Sequence, residues 1–285
     1  MKHIQWFPGH MTKAMRMMQE EIDLCDAVIV VLDARCPAAS FNPKLKSVFG
    51  ERPILYVLNK ADLADCNKTD AFVKLIESKG ALAVKLTATS SSAKRALTAK
   101  IERLTAERRK QNAEKNNLRP VRLMVSGVPN TGKSTIINLL HGEKKAITGD
   151  KAGVTRGKQW IKCEGFDLMD TPGTMPPAFE NQVLARHLAY IGSINDDILE
   201  MDEIALSLLS ELRAMYPAVV KEKFNTEEEE PLELLNAVCR RRGFLQRGGD
   251  YDYERGEKAV VDDFRKGKLG ALSLERAEDY TEVEF

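Results

Sequence analysis

A phosphate-binding loop is the clearest chemical motif in this chain. It follows the pattern Gly-x-x-x-x-Gly-Lys-Ser, and a strand predicted before it and a helix predicted over 133–140 supply the context that such a loop requires. Backbone N–H groups would hold phosphate oxygens, Lys133 would add a positive charge, and Ser134 would offer a hydroxyl to Mg²⁺. The chain is therefore predicted to bind a nucleoside triphosphate. The predicted contacts are Pro129, Asn130, Thr131, Gly132, Lys133, Ser134 and Thr135.

A second motif, Asp170-Thr171-Pro172-Gly173, follows a short apolar run. The Asp170 carboxylate could hold a Mg²⁺-bound water, and the Gly173 N–H could approach the γ-phosphate closely. Between the two motifs, Thr155 lies in a polar stretch over 144–158, where its hydroxyl could complete the metal shell when the triphosphate is bound. The predicted catalytic pair is Lys133 and Asp170, and the predicted Mg²⁺ ligands are Ser134, Thr155 and Asp170.

A third motif, Asn59-Lys60-Ala61-Asp62, is predicted to recognise the base of the nucleotide. A carboxylate at position 62 can accept two hydrogen bonds from guanine, from groups that adenine does not present in that arrangement. Lys60 can lie over the purine, and Thr87-Ala88, after another predicted strand, matches the loop whose backbone N–H contacts the guanine carbonyl. Taken alone, Asn59 and Asp62 could equally cap a helix after a strand. With the phosphate loop present, the sequence predicts GTP rather than ATP.

The order of these motifs is unusual, because the guanine-reading tetrapeptide precedes the phosphate loop, whereas an ordinary Ras-like GTPase has them reversed. Strands are predicted over residues 27–32, 54–58, 82–86, 123–125, 159–163 and 166–169, largely alternating with helices. This alternation predicts a mostly parallel sheet covered on both faces, in an α/β domain of circularly permuted Ras-like P-loop type. The stretch 107–120 is predicted to be an exposed linker joining the old chain ends. We place this domain at 1–178 and a smaller helical domain at 179–285.

Segments outside the nucleotide motifs carry a resemblance to a known family. They are Ile4-Gln5-Trp6-Phe7-Pro8-Gly9-His10-Met11, Asp33-Ala34-Arg35-Cys36-Pro37, and Asp263-Phe264-Arg265-Lys266-Gly267-Lys268-Leu269-Gly270 with Ser273, Leu274 and Glu275. With the permuted motif order, the chain resembles the circularly permuted GTPases of the ribosome biogenesis GTPase A type. The resemblance implies a bacterial or organellar factor that binds the large ribosomal subunit precursor and its rRNA in the GTP state and leaves after hydrolysis.

Two positions bear on the rate of hydrolysis. Thr174 follows the Asp-x-x-Gly motif, where Ras-like enzymes keep a water-orienting glutamine, so slow intrinsic turnover with stimulation by the ribosomal subunit is expected. The resemblance points to His10 as the substitute, although His10 could instead pack or cap the amino-terminal arm. Asn130 resembles the asparagine of potassium-activated GTPases, which would make it a K⁺ ligand. Asn130 could also be present because asparagine tolerates a tight turn.

Charge and composition set the remaining expectations. Residues 94–122 hold ten Lys or Arg against three Glu, consistent with nucleic-acid contact or with an ordinary solvated helix. The net charge of +1 confines any RNA footprint to a local patch. Five cysteines without a Cys-x-x-Cys pair read as reduced thiols, and no apolar run is long enough for a membrane span. We expect a cytoplasmic, monomeric protein without membrane contact; the alternative function is a GTP-gated protein-binding switch that never touches RNA.

Overall fold

A six-stranded sheet forms the centre of the amino-terminal domain. The computed structural model describes residues 4, 9–142, 160–175, 179 and 181–285, with side chains from residue 13 onward in the first helix. Each of the six predicted strands is found within these ranges. They are β1 (Ala27–Asp33), β2 (Ile54–Asn59), β3 (Leu82–Lys85), β4 (Val121–Ser126), β5 (Trp160–Cys163) and β6 (Phe166–Asp170).

The strand order is β3-β2-β1-β4-β6-β5, and all neighbours are parallel except the β5–β6 hairpin. The chain therefore moves outward in one direction through β1, β2 and β3, and in the other direction from β4. In such sheets a ligand binds where the strand order reverses, at the carboxyl ends of the strands. Here that point lies between β1 and β4, directly beside the phosphate loop.

Alternating apolar residues give the sheet two buried faces. One face packs against α1 (Gly9–Glu21), α2 (Lys44–Phe49) and α3 (Cys66–Ser78), and the other packs against α4 (Ala93–Glu114) and α5 (Lys133–His141). Val28 and Val30 point to the first face, whereas Ile29 and Val31 point to the second. Nearly every residue of β1 is apolar for this reason, as parallel strands with two covered faces require.

The predicted linker over 107–120 is largely wrong. α4 continues to Glu114, so only the stretch 115–120 connects it to β4. Leu97, Ile101 and Leu104 recur along its buried side, and Thr105 and Asn112 are buried further along the same helix. The polar composition of 107–114 reflects an exposed helix surface rather than an irregular chain.

Among the residues that the structure describes, five helices follow the sheet. They are α6 (Gln182–Tyr190), α7 (Met201–Met215), α8 (Pro217–Phe224), α9 (Pro231–Arg242) and α10 (Tyr253–Arg265). Apolar residues at helical spacing over 198–215, 232–238 and 259–264 predict α7, α9 and α10, whereas no such pattern predicts the short helices α6 and α8. Both carry a start signal: the Asn181 side chain accepts from the N–H groups of Val183 and Leu184, and Pro217 opens α8 at its first turn. Four short 3₁₀ segments lie at Ile22–Leu24, Ala61–Leu63, Asp196–Ile198 and Ala277–Tyr280.

The carboxyl-terminal tail returns to the sheet domain after the helices end. Leu272 donates its N–H to the carbonyl of Leu63, and Phe285 packs against Phe41 and Tyr56 with ring centroids 5.3 and 5.8 Å away. We propose the division near residue 178 as the boundary between two structural units, with this tail fastening the second unit to the first.

Candidate functional site

The phosphate loop leaves β4 and enters α5 at the reversal point of the sheet. Gly132 has φ +95°, and a Cβ there would lie 2.3 Å from the Asn59 Nδ2 atom. A side chain is therefore excluded by backbone conformation and by space together. Within the loop the buried Thr131 hydroxyl donates to the Val128 carbonyl at 3.0 Å. The loop thus has a fixed shape, with backbone and the N-terminus of α5 available to phosphate oxygens.

The base-reading motif contacts the phosphate loop directly, although some seventy residues separate them in sequence. Asn59 Nδ2 donates to the Thr131 carbonyl at 2.9 Å, and Lys60 Nζ donates to the Asn130 carbonyl. Asn59 is buried and acts as a structural tie between the two motifs. Its Oδ1 accepts the Ala88 N–H at 3.1 Å, so a guanine carbonyl at Ala88 would share that donor.

Asp62 and Thr87 form the rim where the base is predicted to bind. The Thr87 hydroxyl donates to Asp62 Oδ1 and accepts the Asp62 N–H, both at 3.2 Å. The Asp62 carboxylate is exposed to solvent and keeps further lone pairs for guanine donors. A cavity of about 360 Å³ adjoins this rim, lined by Asp62 and Thr87 with Ser90 and Lys85.

A buried ion pair at the end of β1 positions Lys60. Asp33 is fully buried and receives the Arg35 guanidinium in a two-pronged contact at 2.9 and 2.8 Å, while Lys60 Nζ lies 3.0 Å from Asp33 Oδ2. Burial alone would raise the pKa of Asp33, but Arg35 and Lys60 outweigh it and hold the pKa well below its usual range. Sequence reasoning noted Asp33 and Arg35 only as a family resemblance; no spacing pattern connects them to Lys60.

The Asp-x-x-Gly segment lies beside the phosphate loop. Asp170 ends β6 in register with Val125 of β4, and the Thr171 hydroxyl donates to the Val125 carbonyl at 2.7 Å. A Cβ on Gly173 would lie 2.9 Å from the Pro129 nitrogen, so only glycine permits this approach. The Thr174 N–H donates to the Gly127 carbonyl at 3.2 Å, so the residue after this segment also contacts the first residue of the phosphate loop.

Lys133 and Ser134 lie in the first turn of α5, and both are partly buried there. Burial lowers the pKa of Lys133, and the negative charge of Asp170 opposes that shift. Ser134 and Asp170 offer a hydroxyl and a carboxylate, which are the hard oxygen donors that Mg²⁺ prefers alongside phosphate and water. The donor types therefore fit this ion. The described residues contain no cluster of three or more His, Cys, Asp or Glu side chains that would hold a metal without phosphate.

Two predicted site residues fall outside the described part of the chain. They are Thr155 and the side chain of His10. His10 lies in α1, which packs on the sheet through Met18. Before that helix, the Ile4 N–H donates to Gln182 Oε1 at 2.9 Å, at the start of α6. That helix follows the Asp-x-x-Gly segment in sequence.

The fold and the site define a circularly permuted P-loop GTPase. The family described as 50S ribosome-binding GTPase matches residues 122–238, the part from the phosphate loop into the helical domain. The chain is 39% identical to the Ribosome biogenesis GTPase A of Bacillus cereus, over 98% of this chain and 96% of that protein. It is 32% identical to the Mitochondrial ribosome-associated GTPase 1 of Ictalurus punctatus, over 95% and 92% respectively.

Solved structures agree with these sequence relatives. GNP-bound YlqF from T. maritima superposes with a TM-score of 0.65 at 27% identity, covering 93% of this chain and 99% of that one. The chain belongs to the ribosome biogenesis GTPase A family. It binds GTP and hydrolyses it. Among the described residues, no helix has the length and apolarity needed to cross a membrane.

Proposed function

We propose that this GTPase acts in assembly of the large ribosomal subunit. In this proposal it binds the precursor through rRNA in the GTP state and leaves after hydrolysis, working as a monomer in the cytoplasm. The names of its relatives support a ribosomal role. The observation that carries the proposal is the short path from the γ-phosphate sensor into the helical domain.

That path consists of three consecutive residues. Gly173 touches the phosphate loop, Thr174 is bonded to it through its N–H, and Met175 is buried in the core formed by the helices after the sheet. The loop residue Val128 belongs to the same core. A change at Gly173 when the γ-phosphate is lost would therefore reach the helical domain without an intervening linker.

The helical domain carries an arginine surface suited to phosphate groups. It comprises Arg240, Arg241, Arg247 and Arg255, at the end of α9, in the following loop and at the start of α10. All four are exposed, and their described side-chain hydrogen bonds and ring contact are to neutral groups: the Tyr251 hydroxyl, the Glu222 carbonyl and the Phe244 ring. Glu233 and Glu228 lie near enough to Arg240 to act on its charge. By contrast, Arg242, Lys266 and Lys268 pair with Asp262 or Asp263. The arginine surface is the RNA site that we propose.

The basic helix α4 is a weaker candidate for RNA contact. Lys100 pairs with Glu77, and Arg108 and Arg119 both pair with the buried Asp26. Arg109 donates to the Gly165 carbonyl. Many of the basic side chains in residues 94–122 thus form contacts that attach α4 and the stretch after it to the sheet domain.

Hydrolysis in this proposal depends on His10 and K⁺. Thr174 is fully buried and its hydroxyl has no hydrogen-bond partner among the described residues, so it does not present an amide-like group to water. His10 is the side chain that we propose orients the water, with the arm attached to α6 at Ile4. Asn130 is the proposed K⁺ ligand, Ser134, Thr155 and Asp170 the proposed Mg²⁺ ligands, and Lys133 the proposed phosphate-binding cation.

The test is co-sedimentation with purified large ribosomal subunits. Wild type should bind more tightly with a non-hydrolysable GTP analogue than with GDP, and Arg241→Glu combined with Arg247→Glu should weaken binding without altering GTP hydrolysis by the free protein. Arg103→Glu is the matched control, because it reverses an exposed arginine on α4. Equal binding in both nucleotide states would contradict the proposal, since a ligand without differential affinity shifts no equilibrium. If the double variant lost binding to a protein partner but kept its binding to the large subunit, the result would favour the protein-binding switch instead.

A further inference from the structure

The turn that follows α6 lies directly against the phosphate loop. The Ser193 hydroxyl donates to the Pro129 carbonyl at 2.7 Å, and Asn130 Nδ2 donates to the Gly192 carbonyl. Ser193 is 1% exposed, so water cannot replace its hydroxyl. These two bonds join Pro129 and Asn130, the third and fourth residues of the loop, to the helical domain. They are separate from the contacts that the loop makes with Gly173 and Thr174.

Asn130 holds a left-handed backbone conformation that contacts on several sides keep in place. Its φ is +61°, in a region that residues other than glycine rarely adopt, although asparagine enters it more readily than most. Such a conformation persists where the surroundings over-determine it. Here the carbonyl of Asn130 accepts Lys60 Nζ, its amide donates to Gly192, and the preceding carbonyl accepts Ser193.

Arg265 braces the turn from the end of α10. Its guanidinium donates to the carbonyls of Tyr190 at 3.1 Å and Ala189 at 2.7 Å, and it forms a two-pronged pair with Asp196 at 2.7 Å. These carbonyls belong to the last turn of α6, which ends two residues before Gly192. Gly192 itself has φ +74°, and a Cβ added at this residue would lie 3.4 Å from Arg265 Nε.

Pro129 connects this brace to the γ-phosphate side of the site. Its carbonyl accepts the Ser193 hydroxyl, and its nitrogen is the atom nearest to the place where a Cβ on Gly173 would lie. The base-reading residues Asn59 and Asp62 have no described contact with Ser193 or Arg265. Lys60 does contact the loop, at the Asn130 carbonyl, but it is also held by its ion pair with Asp33. A fault in the brace should therefore act mainly on the part of the loop next to the γ-phosphate and affect base binding much less.

We propose that Ser193 and Arg265 are positioning residues for GTP hydrolysis. Acting through the Gly192–Ser193 turn, they hold Pro129 and Asn130 in the conformation that hydrolysis requires. The helical domain is then part of the working phosphate site, in addition to responding to it.

The experiment compares steady-state hydrolysis and GDP affinity in the full-length protein. Ser193→Ala leaves a buried carbonyl without its donor, and kcat should fall roughly five- to tenfold, while KM for GTP and the GDP affinity stay within about twofold. Arg265→Ala should lower kcat in the same way. Arg265→Lys should restore little, because an ammonium cannot reproduce the planar fork that spans two carbonyls and a carboxylate.

Ser273→Ala is the matched control. Ser273 is likewise 1% exposed, and its hydroxyl accepts the Asp65 N–H and donates to the Ala34 carbonyl, away from the phosphate loop. Its kcat should stay within about twofold of wild type even if its melting temperature falls. A kcat of Ser193→Ala at the wild-type level, or an equal loss in Ser273→Ala, would overturn the proposal. If Ser193→Ala does not fold, Arg265→Ala at the partly exposed Arg265 provides the test instead. Its kcat should fall while its GDP affinity stays within about twofold of wild type.

Discussion

The base-reading side and the phosphate side of the site are supported by different parts of the molecule. Asn59, Lys60 and Asp62 are held by neighbouring strands of the sheet domain: Asp33 ends β1 beside Asn59, and Thr87 follows β3. The phosphate side rests partly on the helical domain, through Ser193 at Pro129 and Met175 in the helical core. In our proposal nucleotide identity is thus read mainly by the sheet domain, although Arg35, the partner of Asp33, also donates to the Phe264 and Arg265 carbonyls of α10. Nucleotide state is read where the two units meet.

The largest expected effect is on base choice. Asp62→Ala should reduce the preference for GTP over ATP on the order of a hundredfold or more, because the carboxylate that accepts the guanine donors is removed. The change lies on the exposed rim, so folding should be unaffected. Competition binding with both nucleotides measures it. Retention of the wild-type preference would show that Asp62 does not read the base.

The junction between the units should respond to pH through His187. Its ring lies 3.0 Å from Glu275 of the tail and 3.0 Å from Glu211 of α7. Burial lowers the pKa of His187, but the two carboxylates outweigh it and raise it to about 9. Arg186 and Tyr190 also face Glu211.

Because the folded pKa lies above the unfolded value, the charged ring stabilises the fold fully below about pH 6.5, and this contribution is lost as pH rises through about 9. The loss should be on the order of 3 kcal/mol. His187→Gln stays neutral throughout, so the difference in unfolding free energy between wild type and this variant should shrink over that range. Urea unfolding at several pH values measures it, and a constant difference would contradict the buried charge.

Gly173→Ala tests the phosphate side alone. The added Cβ would meet the backbone of Pro129, which cannot yield as a flexible side chain would. We expect kcat to fall about thirtyfold, with the GDP affinity within about threefold of wild type. Gly80→Ala is a suitable control, since φ +85° strains that position while nothing lies near it. If GDP binding fell as steeply as kcat, the two sides of the site would not be separable.

Local patterns predicted the sheet but not the contacts between units. Apolar strand runs located all six strands, because each run depends only on neighbouring residues. The three motifs lie close together because strand ends meet at one edge of the sheet. The ties of Ser193 to Pro129 and of Glu275 to the N–H groups of Ala38 and Ala39 span 64 to 237 residues. A single serine or glutamate at such a distance leaves no periodic signal. Short α6 and α8 were missed because one or two turns offer too few repeats, although Asn181 and Pro217 marked their starts.

The smallest expected effect concerns K⁺ at Asn130. If Asn130 is a K⁺ ligand, Asn130→Ala should bring the ratio of hydrolysis rates in K⁺ and Na⁺ close to one. Ser193→Ala should lower both rates but keep the wild-type ratio, because it leaves the Asn130 amide in place. This pair of variants separates ion binding from loop positioning on the phosphate side. An unchanged ratio in Asn130→Ala would mean that Asn130 serves the loop only through its left-handed backbone and its bond to Gly192, and that the phosphate side needs no monovalent ion at this residue.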